Sequence, residues 1–416
     1  MEQKVIPFET HGLPIEKIDT QALYILDKLR AAGFVAYLVG GGVRDLLLGH
    51  SPKDFDISTS AKPEEIKQLF RNSILIGRRF RLAHIRFGKK IFEVSTFRAG
   101  DPETEELILR DNVWGYPEED ALRRDFTING LFYDSENQTI IDYVGGYEDI
   151  QKRYLRTIGQ PFVRFKQDPV RMLRLLKFQA RFGLEIDPDA LIALVECKQE
   201  IVKSSPARVL EEMLRMLESG ASKPFIELLN HHGIMGHMLP TISRFIEKEE
   251  DGGDIYAYLE EIDLIFQDTT CEKLDRSVLL SSLTYPLLHK RLETHFVDRE
   301  QTPHLGQIQN HSYDLISEVF QGFFQLSRRL RVSMHNILVS QYRLTPFKKK
   351  RHGRRRIPKD SDFDLALKFL NLRTCLEPGL QKVYEEWKEV YDTWAQDAPA
   401  ERRPTRKRKR RRSKRA

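Results

Sequence analysis

Two aspartates, Asp54 and Asp56, stand two residues apart in Pro52–Thr59 (PKDFDIST), five residues after a glycine-rich stretch, Leu38–Gly49 (LVGGGVRDLLLG). On a strand, residues i and i+2 point to one face, so the two carboxylates project side by side. Like charges that close oppose each other's ionisation unless a cation lies between them. Paired oxygen ligands with room for substrate phosphates suit Mg²⁺, which keeps waters and rarely takes a full protein cage. Upstream, Gly40, Gly41 and Gly42 permit close approach of backbone to a phosphate, and a helix expected at Val43–Leu48 turns its N-terminus to the anion. Each half alone is weak, since a DxD spacing occurs at solvated strand ends and three glycines more often make a turn. Neither GxxxxGK(S/T) nor GxGxxG is present. The tandem of turn, helix and DxD reads as a metal-assisted site for a nucleoside triphosphate.

Three further segments carry candidate chemistry. Glu93 is a carboxylate in the otherwise apolar strand Ile91–Arg98 (IFEVSTFR). An unpaired buried charge would be costly there, so it is expected either at a solvent-facing position or as a third carboxylate of the metal site. Ala121–Asp134 (ALRRDFTINGLFYD) offers Arg123, Arg124, Asp125 and Asn129 on an expected helix, Arg124 able to meet a triphosphate or base and Asp125 a ribose hydroxyl. Asp168–Phe178 (DPVRMLRLLKF) spaces Asp168, Arg171 and Arg174 at i, i+3 and i+6. An aspartate accepts hydrogen bonds and an arginine donates from a fixed fork, so together they can read the polar edge of a nucleobase. For these last two segments the plain alternatives are surface salt bridges and a capped helix with exposed arginines. His231, His232 and His237 cluster without acidic partners, and helix C-termini favour histidine, so a metal reading is not pursued.

The elements that would position these groups follow from the pattern. Asp19–Gly33 reads as an amphipathic helix capped by Asp19 or Thr20, with Leu23, Leu26 and Leu29 as its buried stripe. Tyr37–Val39 is a short strand leading into the glycines, and Ser60 is placed to cap a helix from Pro63 to Phe70. Ile74–Ile76, Arg81–Phe87 and Ile91–Phe97 read as strands, Gly100–Pro117 as a loop, Glu118–Tyr133 as a helix and Thr139–Val144 as a strand. From Asp168 onward nearly everything reads as helix, with starts at Asp168-Pro169, Asp187-Pro188, Ser205-Pro206 and Ser222-Lys223-Pro224. The expected class is α+β: an N-terminal head with a mixed sheet flanked by helices, an all-helical neck and body, and a disordered basic tail.

Charge separates the chain sharply. Pro346–Pro358 holds seven Lys or Arg and no acid, and Glu401–Ala416 holds eleven with one acid. Of 67 basic and 61 acidic side chains, removing those two runs leaves 49 basic against 60 acidic, a net of −11 for the rest. Such blocks read as arms for polyanions, with steeply salt-dependent binding. Cys197, Cys271 and Cys375 are widely spaced, which excludes a zinc site built from cysteine alone and leads us to expect a cytoplasmic protein. No apolar run approaches the roughly 20 residues of a membrane span, and the N-terminus lacks the pattern of a secretory signal.

These segments, in this order, resemble the class II nucleotidyltransferase superfamily, that of bacterial poly(A) polymerases and CCA-adding tRNA nucleotidyltransferases. Leu38–Thr59 is similar to its metal and triphosphate motif, Ala121–Tyr133 to its RRDFTIN motif, Ile141–Ile150 (IDYVGGYEDI) to the following turn and Asp168–Phe178 to its base-selecting helix. The resemblance implies Asp54 and Asp56 as Mg²⁺ ligands with Glu93 as third acidic member, and Gly41 and Arg44 at the triphosphate. It implies Arg124 and Asp125 at the nucleotide and its sugar, Asp125 also as an active-site acid, and Asp168, Arg171 and Arg174 at the base. Lys177 stands where relatives often carry Arg, and Gly130 where they usually have Ala or Ser. It further implies a catalytic head over 1–160, a neck over 161–220, an RNA-binding body over 221–345 and a basic RNA-binding segment over 346–416. Leu75–Ile85 (LIGRRFRLAHI) resembles the poly(A) branch, and the basic tail agrees. The implied activity is template-independent addition of AMP from ATP to RNA 3′ ends, with RNA-degradation machinery as an open partner. CCA addition to tRNA is the near alternative, and an inactive RNA-binding protein that keeps the fold is the alternative of another class.

Overall fold

The alternation of short β-branched and aromatic runs in the first 142 residues produces strands, and the computed structural model pairs eight of them into one sheet. It describes residues 3–77, 82–99, 113–248, 253–347, 357 and 362–397. Most of the first basic run, all of the second, and Arg78–Arg81 within the Leu75–Ile85 stretch lie outside the described residues. Two compact units result, Met1–Ser204 and Ser205–Ala416.

The sheet of the first unit consists of β1 (Lys4–Ile6), β2 (Ala36–Val39), β3 (Asp56–Thr59), β4 (Ser73–Ile76), β5 (Leu82–Phe87), β6 (Lys90–Thr96), β7 (Leu131–Asp134) and β8 (Thr139–Asp142). Its spatial order is β1-β8-β7-β2-β3-β6-β5-β4. Only β3 and β6 run parallel; every other neighbouring pair is antiparallel. The parallel pair is possible because β4 and β5, with helix α4 (Pro63–Leu69) ahead of them, supply the crossover. The helices before α4 are α1 (Phe8–His11), α2 (Thr20–Ala31) and α3 (Gly41–Leu47). Asp19 caps α2 by accepting from the Gln21 N–H, and the buried stripe is Ala22, Ile25, Leu26 and Leu29, with Leu23 only half-buried.

Several expectations need correction. Glu118–Tyr133 is not one helix but α5 (Pro117–Leu122), a 3₁₀ turn at Thr127–Asn129 and β7. All four residues of β7 are buried between β2 and β8, and that lateral pairing outweighs any helical preference of the segment. Gly130 therefore sits between turn and strand, not inside a helix, and a Cβ there would come 2.6 Å from Val144 Cγ2. Ser60 does not cap α4. Glu65 accepts from the Lys62 N–H at 2.7 Å, while Ser60 Oγ accepts from the Val35 N–H at 3.0 Å. Helix α3 begins at Gly41, two residues earlier than expected, because Gly40 takes the turn at φ 66°, ψ −129°.

After the sheet come α6 (Gly146–Gln151), α7 (Pro161–Gln167), α8 (Val170–Phe182) and α9 (Pro188–Cys197). The helical run from Asp168 is broken by Glu185–Ile186, which pairs in parallel with Tyr154–Leu155. Asp142 closes the turn into α6 by accepting from the N–H groups of Val144, Gly145, Gly146 and Tyr147 at 2.8–3.1 Å. That is a carboxylate acting as a helix cap, which satisfies donors a helix start leaves open.

Every regular element among the described residues of the second unit is a helix, from α10 (Pro206–Leu217) and α11 (Ser222–His231) to the last described helix at Gln381–Asp397. The start of α11 is capped from a distance: Asp263 accepts from the Ser222 and Lys223 N–H groups at 2.6 and 2.9 Å. Arg276 clasps Glu211 and Glu218 with four hydrogen bonds of 2.6–3.1 Å. No helix among the described residues is long and apolar enough to cross a membrane.

Candidate active site

Sheet register assembles the first half of the site. Asp56 opens β3, opposite Val39 of β2 on one side and Glu93 of β6 on the other. Since Gly40 follows Val39, the glycine turn, Asp56 and Glu93 come into one row at the sheet's end. Asp54 lies just before the strand and is exposed, with Phe55 buried between the two aspartates, so the alternation of a strand extends one step beyond its pairing. Glu93 is not buried: its side chain is 55% exposed at the open end of the row, so no unpaired charge is enclosed there. Among the described residues no three His, Cys, Asp or Glu side chains form a ready-made metal cage. The donors present are hard carboxylate oxygens at an open edge, the set that fits Mg²⁺ arriving with substrate phosphates.

The second half is the Arg123–Asn129 segment, folded against the first. Arg124 donates to Asp120 Oδ2 at 2.8 Å, to the Asn129 carbonyl at 3.2 Å and to Ser58 Oγ at 3.3 Å. Ser58 is two residues along β3 from Asp56, so Arg124 is tied directly to the aspartate strand. A Cβ on Gly40 would approach Arg124 Nη1 to 3.0 Å, so the guanidinium lies against the glycine turn. Gly41 differs: a Cβ there would meet only Arg44 Nη2, at an ordinary 3.5 Å. No close internal packing demands glycine at 41, which leaves a bare backbone where a phosphate could approach.

Asp125 is held by four groups. Its Oδ1 accepts from the Phe126 N–H and the Asn129 amide, both at 2.9 Å, and its Oδ2 faces Arg174 Nη1 at 3.4 Å. Burial works against its ionisation, yet Arg174, the Asn129 amide, Arg171 and the Phe126 N–H outweigh it and hold its pKa below the usual carboxylate value.

Arg44 points inward. Its guanidinium is buried, donates to Asp45 Oδ1 at 2.5 and 2.9 Å and to Asn129 Oδ1 at 2.6 Å, and lies over the Phe178 and Phe182 rings at 4.5 and 5.0 Å. Burial lowers its pKa and Asp45 opposes that shift. Asp45 also accepts from Arg181 of α8 at 3.0 Å. A chain Arg181–Asp45–Arg44–Asn129–Asp125–Arg174 thus joins α3, the 3₁₀ turn and α8.

The three residues expected on one helical face differ in burial and in place along the helix. Asp168 precedes α8, and its carbonyl accepts from the Arg171 N–H at 2.9 Å. Arg171 is buried and donates at 3.4 Å to the carbonyls of Arg164 and Arg123. Arg174 keeps 35% of its side chain exposed. Sequence reasoning did not single out Arg164, which is buried and donates at 2.7 Å to the carbonyls of both Arg123 and Arg124. It fixes the segment that presents Arg124 and Asp125. One more cation in a basic stretch carries no signal of that role.

Comparison with known proteins finds three family matches along the chain. Residues 36–156 match the poly A polymerase head domain, 183–246 the probable RNA and SrmB-binding site of polymerase A, and 306–416 the polymerase A arginine-rich C-terminus. Poly(A) polymerase I of Escherichia coli O157:H7 is 44% identical over 258 residues, 59% of this chain and 56% of that protein. The chain thus spans a little over half the length of these relatives. The CCA-adding enzyme of Leuconostoc mesenteroides is 37% identical over 228 residues, covering 54% of this chain and 56% of that one. Among solved structures, the Bacillus stearothermophilus CCA-adding enzyme in complex with CTP superposes with a TM-score of 0.63 at 24% identity, over 90% of this chain and 82% of that one, a likeness of fold. The matched head, the matched C-terminal segments and the sheet that aligns Gly40, Asp56 and Glu93 lead to one assignment: the chain belongs to the poly(A) polymerase and tRNA nucleotidyltransferase family.

Proposed function

We propose that the chain is a poly(A) polymerase that adds AMP from ATP to RNA 3′ ends without a template. The observation that carries this reading is the convergence of Asp56, the glycine turn and Arg124 at one end of the sheet, with Asp125 and Arg174 linked to them through Asn129 and Arg44. The poly(A) branch is favoured by relatives of that name at 44% identity against 37% for a CCA-adding one.

In this reading Asp54 and Asp56, with Glu93 beside them, hold Mg²⁺. A metal held there would supply charge neutralisation for the triphosphate and a lowered pKa for the attacking 3′-hydroxyl. The backbone at Gly41 admits a phosphate, and Arg124, anchored on Asp120 and Ser58, keeps its charge beside that turn. The hydroxyl attacks the α-phosphorus in line and pyrophosphate leaves; positioning and charge stabilisation supply most of the acceleration. Because its neighbours keep Asp125 ionised, it serves as an acceptor for a ribose hydroxyl and not as a proton donor. Arg174, half open, and Asp168 face the base, while buried Arg171 and Arg44 hold the frame. The basic segments after Pro346 hold RNA without reading its sequence.

The test is extension of a generic RNA oligonucleotide with Mg²⁺ and each nucleoside triphosphate separately, resolved on a sequencing gel. A long ladder with ATP alone supports polyadenylation. Little extension there, with completion of truncated tRNA by CTP and ATP, would instead assign CCA addition.

A further inference from the structure

Beyond Asp56 and Glu93, the sheet places a third polar side chain in the same row. His84 of β5 is directly opposite Glu93 in the antiparallel register, as Asp56 is in the parallel one. The row across three adjacent strands is therefore Asp56, Glu93, His84. His84 Nε2 lies 3.2 Å from Glu93 Oε1. An ionised carboxylate can only accept, so this contact requires the proton on Nε2 of the imidazole. The histidine side chain is 19% exposed while Glu93 is 55% exposed, so the more buried group holds the more exposed one.

We infer that His84 is a positioning residue for the candidate active site: it fixes one oxygen of Glu93 and leaves Oε2 to face the metal position beside Asp56. This rests on the reading of Glu93 as the third acidic member of that site. The physical argument is one of rotamers. A glutamate on the open face of a sheet spreads over several conformers, and only some point along the row toward Asp56. A hydrogen bond to a neighbour anchored on the next strand restricts that spread, as partners of metal-ligating carboxylates commonly do. The neighbour opposite His84 on its other side is Ile74 of β4, which offers the ring no competing hydrogen bond.

The test uses the full chain with H84L, H84Q, H84N and E93Q, read by RNA extension kinetics and by binding of Mn²⁺ alone in electron paramagnetic resonance titrations. Glutamine places an amide nitrogen near the position of Nε2; asparagine, one methylene shorter, does not reach. H84L and H84N should each lose about tenfold or more in kcat and in Mn²⁺ affinity, with KM for ATP within about twofold of the parent. H84Q should recover most of both. In the E93Q background, H84L should add no further loss. If H84N and H84Q behave alike, the role is packing and the inference fails. It fails also if H84L matches the parent while E93Q is impaired. If E93Q itself retains full activity and Mn²⁺ binding, the placement of Glu93 in the site falls, and the role of His84 with it.

Discussion

Arg174 reaches Asp125 across 49 residues of sequence, its Nη1 3.4 Å from Oδ2. The carboxylate is a fixed acceptor because this guanidinium, two nitrogen donors on its other oxygen and nearby Arg171 together overcome its burial. Its native pKa is depressed, so its contribution to stability is complete above the unfolded aspartate value of about 3.9 and is lost as pH falls through the native value. Urea unfolding of the wild type and Asp125→Asn from pH 6 to pH 2 should show the wild type losing stability more steeply at the acid end. Parallel pH profiles would contradict that assignment.

Removing the partner instead of the carboxylate has a different signature. Arg174→Ala leaves Asp125 with its amide donors, and because Arg174 is partly exposed the cost is screened, about 1–2 kcal/mol. Activity should fall further than stability, with discrimination between ATP and other triphosphates reduced. Unchanged nucleotide preference would remove Arg174 from base reading.

Arg44 separates two roles by measurement. Held by Asp45 and Asn129 and covered by two phenylalanine rings, it acts as a frame residue. Arg44→Ala should destabilise the protein by about 2–3 kcal/mol by leaving buried Asp45 with Arg181 as its one remaining cation among the described residues and Asn129 Oδ1 without its donor. A residue serving only the triphosphate would leave the melting temperature unchanged and raise KM for ATP. A thermal melt beside a KM determination distinguishes the two.

Gly40→Ala should cost about 1–3 kcal/mol and disturb Arg124, since the backbone is strained for any side chain and the new Cβ would press on Nη1 at 3.0 Å. Gly49→Ala is the control: φ is also positive, at +80°, but nothing lies within 4 Å of a Cβ. Both variants can be compared by chemical denaturation and by ATP binding. Equal effects would mean that the contact with Arg124 is immaterial.

Asp54 is exposed, so Asp54→Ala should leave folding and RNA binding intact while abolishing extension activity. Deleting Glu401–Ala416, with its eleven cations, should weaken RNA binding and make its dependence on salt shallower. Fluorescence anisotropy at several salt concentrations measures the second effect; identical slopes would reduce the tail to a solubilising segment.

Much of this site was legible in local sequence because its signals are local. The glycines, the aspartate pair two residues on a strand apart, the alternation of Ile91–Thr96 and the cap at Asp19 depend on neighbours within a few residues. Charge segregation into two late runs likewise needs no fold to be read. What the tertiary structure decided depends on residues far apart in the chain. Leu131–Asp134 became a strand because β2 and β8 bury it from both sides, so the arginine, aspartate and asparagine before it left the expected helix. Glu93 came to stand beside Asp56 through a parallel register that the intervening hairpin and helix set, and no spacing in sequence encodes that match. Arg44 and Arg171 carry the same charge as Arg124 and Arg174 in sequence, yet the fold buries the first two against acceptors and leaves the second two partly open to solvent. A guanidinium's role is set by which acceptors surround it, and that is fixed only when distant elements pack.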